Sequence, residues 1–154
     1  MINTPARQMV WLVEHPSEEA ADIRRSLERC NVASEEWRVV SAEAALGGGL
    51  REPDLILVAW AGHSGQDDFV AKLRERHGFI HPPIVCLGGE EDEAEAAALR
   101  RAGANSAVAL PAHPQYRQEA MLDLLIYWLL LEGHTEVVPP KVSPLLDGGG
   151  PPVP

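Results

Sequence analysis

The chain has 154 residues, of which 45% are hydrophobic and 23% are charged, and its formal net charge is −10. This balance is typical of a globular domain that is long enough to bury a core. The negative charge argues against general binding to nucleic-acid phosphates or to anionic membranes, because both need a basic surface. Two cysteines, Cys30 and Cys86, are too few for a disulfide framework and are expected to be buried thiols.

No targeting signal stands out in the sequence. The N-terminal residues lack the apolar core of a signal peptide. The longest apolar run, 121–131, contains Asp123 and is too short to cross a bilayer. We therefore expect a cytoplasmic protein with no membrane partner.

The first third of the chain alternates between predicted strands and helices. A compact apolar run at 9–13 predicts the first strand, and Ser17 is a good N-cap for the helix that follows. The alternating residues 37–40 predict a strand near an edge of the sheet. Residues 42–46 then predict a short helix that ends at Gly47.

The third predicted strand is the most apolar part of the domain. Residues 53–62 open on a Pro-Asp turn and hold an uninterrupted apolar run, which is typical of a strand covered on both faces. Beyond it, helices are predicted at 67–77, 94–102 and 115–131, and strands at 84–87 and 106–110. Five strands that alternate with five helices predict an α/β domain with an open parallel sheet and helices on both faces.

The composition changes sharply after residue 133, where proline and glycine become frequent. We therefore divide the chain into a leader at 1–8, a domain at 9–133 and a Pro/Gly-rich tail at 134–154. The tail cannot form a core of its own, and we expect it to be flexible or to dock on another surface.

The order of these elements resembles the receiver domain of bacterial response regulators, the CheY-like family of two-component signal transduction. The resemblance covers roughly 9–131 and depends on four short motifs and a proline, at 12–16, 53–57, 83–87, 103–106 and 111. It implies a flavodoxin-like (βα)5 fold with strand order 2-1-3-4-5.

The same resemblance defines a phosphorylation site that this sequence does not retain. In the family, an aspartate on strand three takes a phosphoryl group from a kinase, assisted by an acid pair that holds Mg²⁺, a Ser or Thr, and a Lys. The corresponding positions here are Ala59 for the aspartate, Glu14 and His15 for the acid pair, Gly88 for the hydroxyl and Leu110 for the lysine. Since only Glu14 keeps its chemistry, we predict a degenerate pseudo-receiver that is no enzyme and uses no metal or cofactor.

A protein without this site would signal by binding other proteins. Between 120 and 131 only Asp123 is charged, and the apolar residues form two stripes. One stripe must cover the sheet, so the other is expected to be exposed and to form an interface unless the tail covers it. We predict a homodimer through this helix, with an interface formed by Leu122, Leu125, Trp128 and Leu129.

Two alternatives concern the carboxyl-terminal edge of the sheet. A small-molecule or nucleotide sensor is compatible with the fold, although no glycine-rich phosphate motif supports it. A metal site built from Glu14, His15 and His63 lacks the usual ligand spacing. Trp60 is expected on the sheet face opposite Ala59, where it either packs in the core or lines a pocket or contact surface.

Overall fold

The structure is a computed structural model, and it describes residues 8–15, 17–30, 35–60, 65–78, 81–88 and 92–131. The predicted tail at 134–154, residues 1–7 of the leader, and His63 lie outside the described residues. The strands are β1 (Gln8–Glu14), β2 (Glu35–Val40), β3 (Leu55–Ala59), β4 (Ile84–Gly88) and β5 (Ser106–Ala109). The helices are α1 (Glu18–Arg29), α2 (Ala42–Leu46), α3 (Gln66–His77), α4 (Glu93–Ala102) and α5 (Pro114–Ile126), and α5 continues as a π-helix at Tyr127–Leu131.

All neighbouring strands are parallel, and their order in the sheet is β2-β1-β3-β4-β5. This confirms the predicted fold class, including the order 2-1-3-4-5. Because each helix runs back across the sheet, the helix N-termini lie near the carboxyl edge of the strands. Four of the helices begin at a residue whose side chain accepts a hydrogen bond from a backbone N–H of the first turn, at Ser17, Ser41, Asp92 and His113.

Helices cover the sheet on both faces, so side chains that alternate along a strand enter two separate cores. Val10 and Leu12 of β1 pack in a cluster with α1 and α5. Met9, Trp11 and Val13 pack on the opposite face, in a cluster with α2, α3 and α4. We call these the α1/α5 core and the α2/α3/α4 core. Burial on both sides explains why the central strands are uniformly apolar.

The last helix differs from its prediction. Leu125, Trp128 and Leu129 are buried in the α1/α5 core, whereas Leu122 is 36% exposed. Trp37 of β2 packs against the same core, and the Gln8 side chain donates a hydrogen bond to the Leu129 carbonyl at 2.9 Å. The start of β1 and the strand β2 thus contribute to enclosing the end of the helix. The expected exposed stripe is therefore wrong for three of its four residues.

No helix among the described residues is both long enough and apolar enough to cross a membrane.

A buried arginine joins the amino ends of β4 and β5. Arg74 of α3 is only 3% exposed, and its guanidinium donates to the carbonyls of Gly103 (2.8 Å), Pro82 (2.7 Å) and Gly78 (3.2 Å). It also donates to the side-chain oxygen of Asn105, which accepts the Ile84 N–H as well. Burial lowers the pKa of Arg74 from its ordinary value. Among the described residues Arg74 forms no ion pair with a carboxylate, so neutral oxygen atoms surround its charge.

The turn after α4 is shaped around this arginine. Gly103 has a φ of +125°, and a Cβ atom built on it would lie 2.4 Å from Cγ of Arg74. A larger residue would be strained in its backbone and would also displace the arginine. Gly103 therefore meets two requirements at once, a left-handed turn and a close approach.

We expect Arg74→Met to lower the free energy of unfolding by about 3 kcal/mol, because several buried carbonyl groups would lose their donor. Urea denaturation followed by circular dichroism measures the change. Arg76→Met on the same helix is the matched control, since the exposed Arg76 donates to a single carbonyl, that of Gly47, at 2.6 Å. It should cost less than about 1 kcal/mol. Equal losses in the two variants would contradict the role given to Arg74.

Candidate functional site

The five predicted site positions lie together at the carboxyl edge of the sheet. Glu14 at the end of β1 is in register with Ala59 at the end of β3. Backbone hydrogen bonds join the neighbouring strand ends, from His15 N–H to the Ala59 carbonyl (3.0 Å) and from Leu110 N–H to the Gly88 carbonyl (2.7 Å). In an open parallel sheet this edge is where ligands and reactive groups are placed. The five positions therefore share one edge of the sheet, and what this edge can do depends on the side chains that stand there.

Two of these positions belong to the hydrophobic core. Ala59 and Leu110 are both buried, and both are members of the α1/α5 core. Neither side chain carries a nucleophile or a charge. This part of the edge contributes packing where the resemblance would place a carboxylate and an amine.

The remaining carboxylate is held by a residue that the sequence analysis did not single out. Arg24 of α1 donates from Nη2 to Oε1 of Glu14 and from Nε to Oε2 at 3.4 Å. Two-point contacts of this kind are among the stronger ion pairs in proteins. The hydrogen bonds that Arg24 donates to Glu14, followed by the negative charge of Glu14, raise the pKa of Arg24 above its ordinary value. The sequence contains only a slight indication of this role. Arg24 lies one helical turn after the buried Ala20 and therefore near the face of α1 that packs on the sheet.

A row of rings crosses the same edge on the other face of the sheet. The Trp60 ring stacks on Phe69 of α3 with 4.7 Å between centroids, and the His15 ring lies 5.4 Å from Trp60. Trp60 is partly buried and packs against the α2/α3/α4 core, whereas Ala59 lies in the α1/α5 core. Strand alternation thus assigned the face correctly. Of the two roles considered for the tryptophan, the structure shows packing against the core.

Polar groups next to this row are not all satisfied. The buried Gln66 donates from Nε2 to Oε2 of Glu95 at 3.4 Å, and this contact links α3 to α4. Oε1 of Gln66 and Nε1 of Trp60 are buried and have no hydrogen-bond partner within the described part of the chain. Burial, followed by the charge of Glu95, raises the pKa of the Cys86 thiol to about 12. Cys86 therefore has almost no thiolate at neutral pH and does not provide a nucleophile.

Comparison with known proteins supports the fold. No protein-family model and no curated protein matches the sequence. The solved structures that resemble the chain include the phosphorylated cyanobacterial phytochrome response regulator RcpA, with 19% identity, a TM-score of 0.67, and coverage of 82% of this chain and 96% of that one. A response regulator from Hahella chejuensis has 25% identity, a TM-score of 0.64, and coverage of 80% and 96%.

A third similar structure is the receiver domain of the sensor histidine kinase PA1611 from Pseudomonas aeruginosa. It has 19% identity and a TM-score of 0.58, covers 80% of this chain and 98% of its own, and coordinates a magnesium ion in its active-site cleft. The structural neighbours of this chain are thus response-regulator receiver domains, and the fold is theirs.

The side chains at the carboxyl edge do not fit a divalent cation of the kind that the Pseudomonas domain coordinates. Mg²⁺ is usually bound through one or two carboxylates. Here Ala59 offers no ligand atom, His15 replaces an acid, and Arg24 engages both oxygens of Glu14. No group of three or more His, Cys, Asp or Glu side chains in the described ranges could hold a metal ion. The residue His63 of the alternative metal site lies outside these ranges.

Proposed function

We propose that this chain is a receiver-like signalling protein that acts by binding other proteins and does so without being phosphorylated. The observation that carries the proposal is the burial of Ala59 and Leu110 in the α1/α5 core, at strand ends that the fold brings together. The signalling role is supported by the likeness to response regulators from several bacteria.

The chemical argument concerns the nucleophile. Phosphoryl transfer to a protein needs an attacking oxygen, together with cations that neutralise the charge of the transferring group. Ala59 has no such atom. Glu14, the carboxylate in register with it, has both oxygens in contact with the Arg24 guanidinium. The end of the central strand therefore offers no acceptor atom, and the carboxylate beside it is already paired with Arg24.

We expect no phosphate to be transferred to this chain from acetyl phosphate or from a receiver-specific kinase. The measurement is intact mass, with hydroxylamine treatment to identify an acyl phosphate. A phosphorylatable receiver domain in the same reaction is the positive control. A stoichiometric, hydroxylamine-sensitive phosphate on this chain would refute the proposal.

The partner proposed for the folded domain is a second copy of the chain. The outer face of α5, defined by Tyr116, Glu119, Leu122 and Asp123, is its exposed side. Tyr116 is 56% exposed and Leu122 is 36% exposed, and both belong to the few large apolar residues that reach the surface. An aromatic and an aliphatic side chain with polar neighbours are a common composition for a protein contact. Leu125, Trp128 and Leu129 are buried in the α1/α5 core and anchor the helix on the domain.

We expect the full chain to dimerise in a concentration-dependent manner and Leu122→Glu to weaken the dimer at least tenfold, because a carboxylate would be buried in the contact. Light scattering across a concentration series gives the molar mass. Ala94→Glu, at an exposed position of α4, adds the same charge elsewhere and should leave the dimer unchanged. A mass that remains at 16.7 kDa at every concentration would exclude the dimer.

One observation favours a second candidate function, the sensing of a small molecule at the carboxyl edge. Nε1 of Trp60 can donate and Oε1 of Gln66 can accept a hydrogen bond, and both atoms are buried without a partner among the described residues. Each buried polar atom without a hydrogen bond carries a free-energy cost, and a ligand that bonded to it would remove that cost. The acidic first turns of α3 and α4 oppose a phosphate group, so neutral or cationic ligands fit better than nucleotides.

We expect a ligand at this place to raise the melting temperature by several degrees when it is present well above its Kd. A panel of nucleosides, nucleotides and amines can be screened by thermal shift. Gln66→Met should abolish the shift, whereas Gln118→Met, near Cys30, should preserve it. A panel without any shift, or a shift that survives Gln66→Met, would count against sensing at the carboxyl edge.

A further inference from the structure

The ion pair between Glu14 and Arg24 was not predicted from the sequence. The Glu14 side chain is only 9% exposed, and it ends the strand that is in register with Ala59 of β3. The Arg24 side chain is 43% exposed and reaches this carboxylate from α1. The contact therefore connects the carboxyl edge of the sheet to the middle of the following helix.

We infer that Arg24 supplies, from within the chain, the positive charge that a divalent cation supplies in metal-binding domains of this fold, and that it thereby closes the carboxyl edge to Mg²⁺. The inference rests on the proposed function, because a domain that is not phosphorylated does not need a metal at this edge. It assigns to Arg24 the role of a permanent counter-ion.

The first argument concerns the desolvated carboxylate. A largely buried carboxylate is costly unless a cation and hydrogen bonds compensate its charge. The guanidinium of Arg24 provides both, through one contact to each carboxylate oxygen. Because a guanidinium is always charged in proteins, this compensation does not depend on any ion in solution.

The second argument concerns competition for the same oxygens. A divalent cation that bound Glu14 would have to displace Arg24, and the displaced guanidinium would remain tethered nearby on α1. Two like charges at such short range repel each other strongly at a partly buried site. His15 and Ala59 add no carboxylate that could compensate for this repulsion. The donor set thus favours the arginine over the metal.

The neighbouring Arg25 does not make a comparable contact with the carboxyl edge of the sheet. Arg25 pairs with Asp22 one turn earlier on the same helix, and both side chains are well exposed. That pair is local to α1, and exposed pairs of this kind contribute little to stability. Arg25 therefore serves as the matched control for Arg24.

The test restores a second acid to the edge and then removes the arginine. His15→Asp recreates an acid pair next to Glu14 in the full chain. We expect His15→Asp alone to bind Mn²⁺ weakly, and His15→Asp with Arg24→Gln to bind it at least tenfold more tightly. The electron paramagnetic resonance signal of free Mn²⁺ measures binding. His15→Asp with Arg25→Gln should behave as His15→Asp alone.

A third variant separates charge from shape. His15→Asp with Arg24→Lys keeps a cation beside Glu14 and should bind Mn²⁺ as weakly as His15→Asp. Equal affinities of the Arg24→Gln double variant and His15→Asp would overturn the inference. Tight Mn²⁺ binding by the original chain that Arg24→Gln does not change would also overturn it.

Thermal unfolding provides a readout without metal. Arg24→Gln should lower the melting temperature, and Glu14→Gln in that background should recover part of the loss because the unpaired carboxylate is removed. Additive effects of the two substitutions would contradict the counter-ion role. None of these outcomes depends on the phosphorylation assay, in which an acyl phosphate would refute the proposed function itself.

Discussion

The burial of β3 on both faces is the constraint on which the rest of the structure depends. All five residues of this strand are buried, and it pairs with β1 on one side and β4 on the other. Leu55, Leu57 and Ala59 enter the α1/α5 core, while Ile56 and Val58 enter the α2/α3/α4 core. A strand in this position needs apolar side chains on both faces of the sheet, and helices must then cover both faces. The parallel order follows, because each crossover helix returns the chain to the same edge.

This constraint also decides what happens at the carboxyl edge when charged groups are absent. A strand end such as Ala59 can hold a charged group only if neighbouring groups compensate the cost of burying it. Here Ala59 and Leu110 extend the core to the edge, and Arg24 compensates the charge of the Glu14 carboxylate. Apolar packing and an ion pair thus occupy these positions of the edge, and neither requires an ion from solution.

The sequence predicted the fold, and with it the strand ends that meet at the carboxyl edge, because both depend on local patterns. Uninterrupted apolar runs define β3 and β4, caps such as Ser17 define helix starts, and strand ends in a parallel sheet meet at one edge. The strand order came from the resemblance, and the structure confirms it. The burial of Trp128 could not be read from the helix alone, because it depends on the other elements that form the α1/α5 core. Arg24 was missed for the same reason, since its partner lies on another element.

The proposed function implies a particular mode of regulation. A conformational change needs a ligand or modification that interacts differently with two states of the protein. Where a phosphoryl group and a metal ion would change the charge at this edge, the chain has Ala59, Leu110 and a permanent pair between Glu14 and Arg24. Any switching would therefore have to arise where differential contacts remain available, at the outer face of α5 or beside Trp60 and Gln66. Regulation would then follow the concentration of a partner or a ligand.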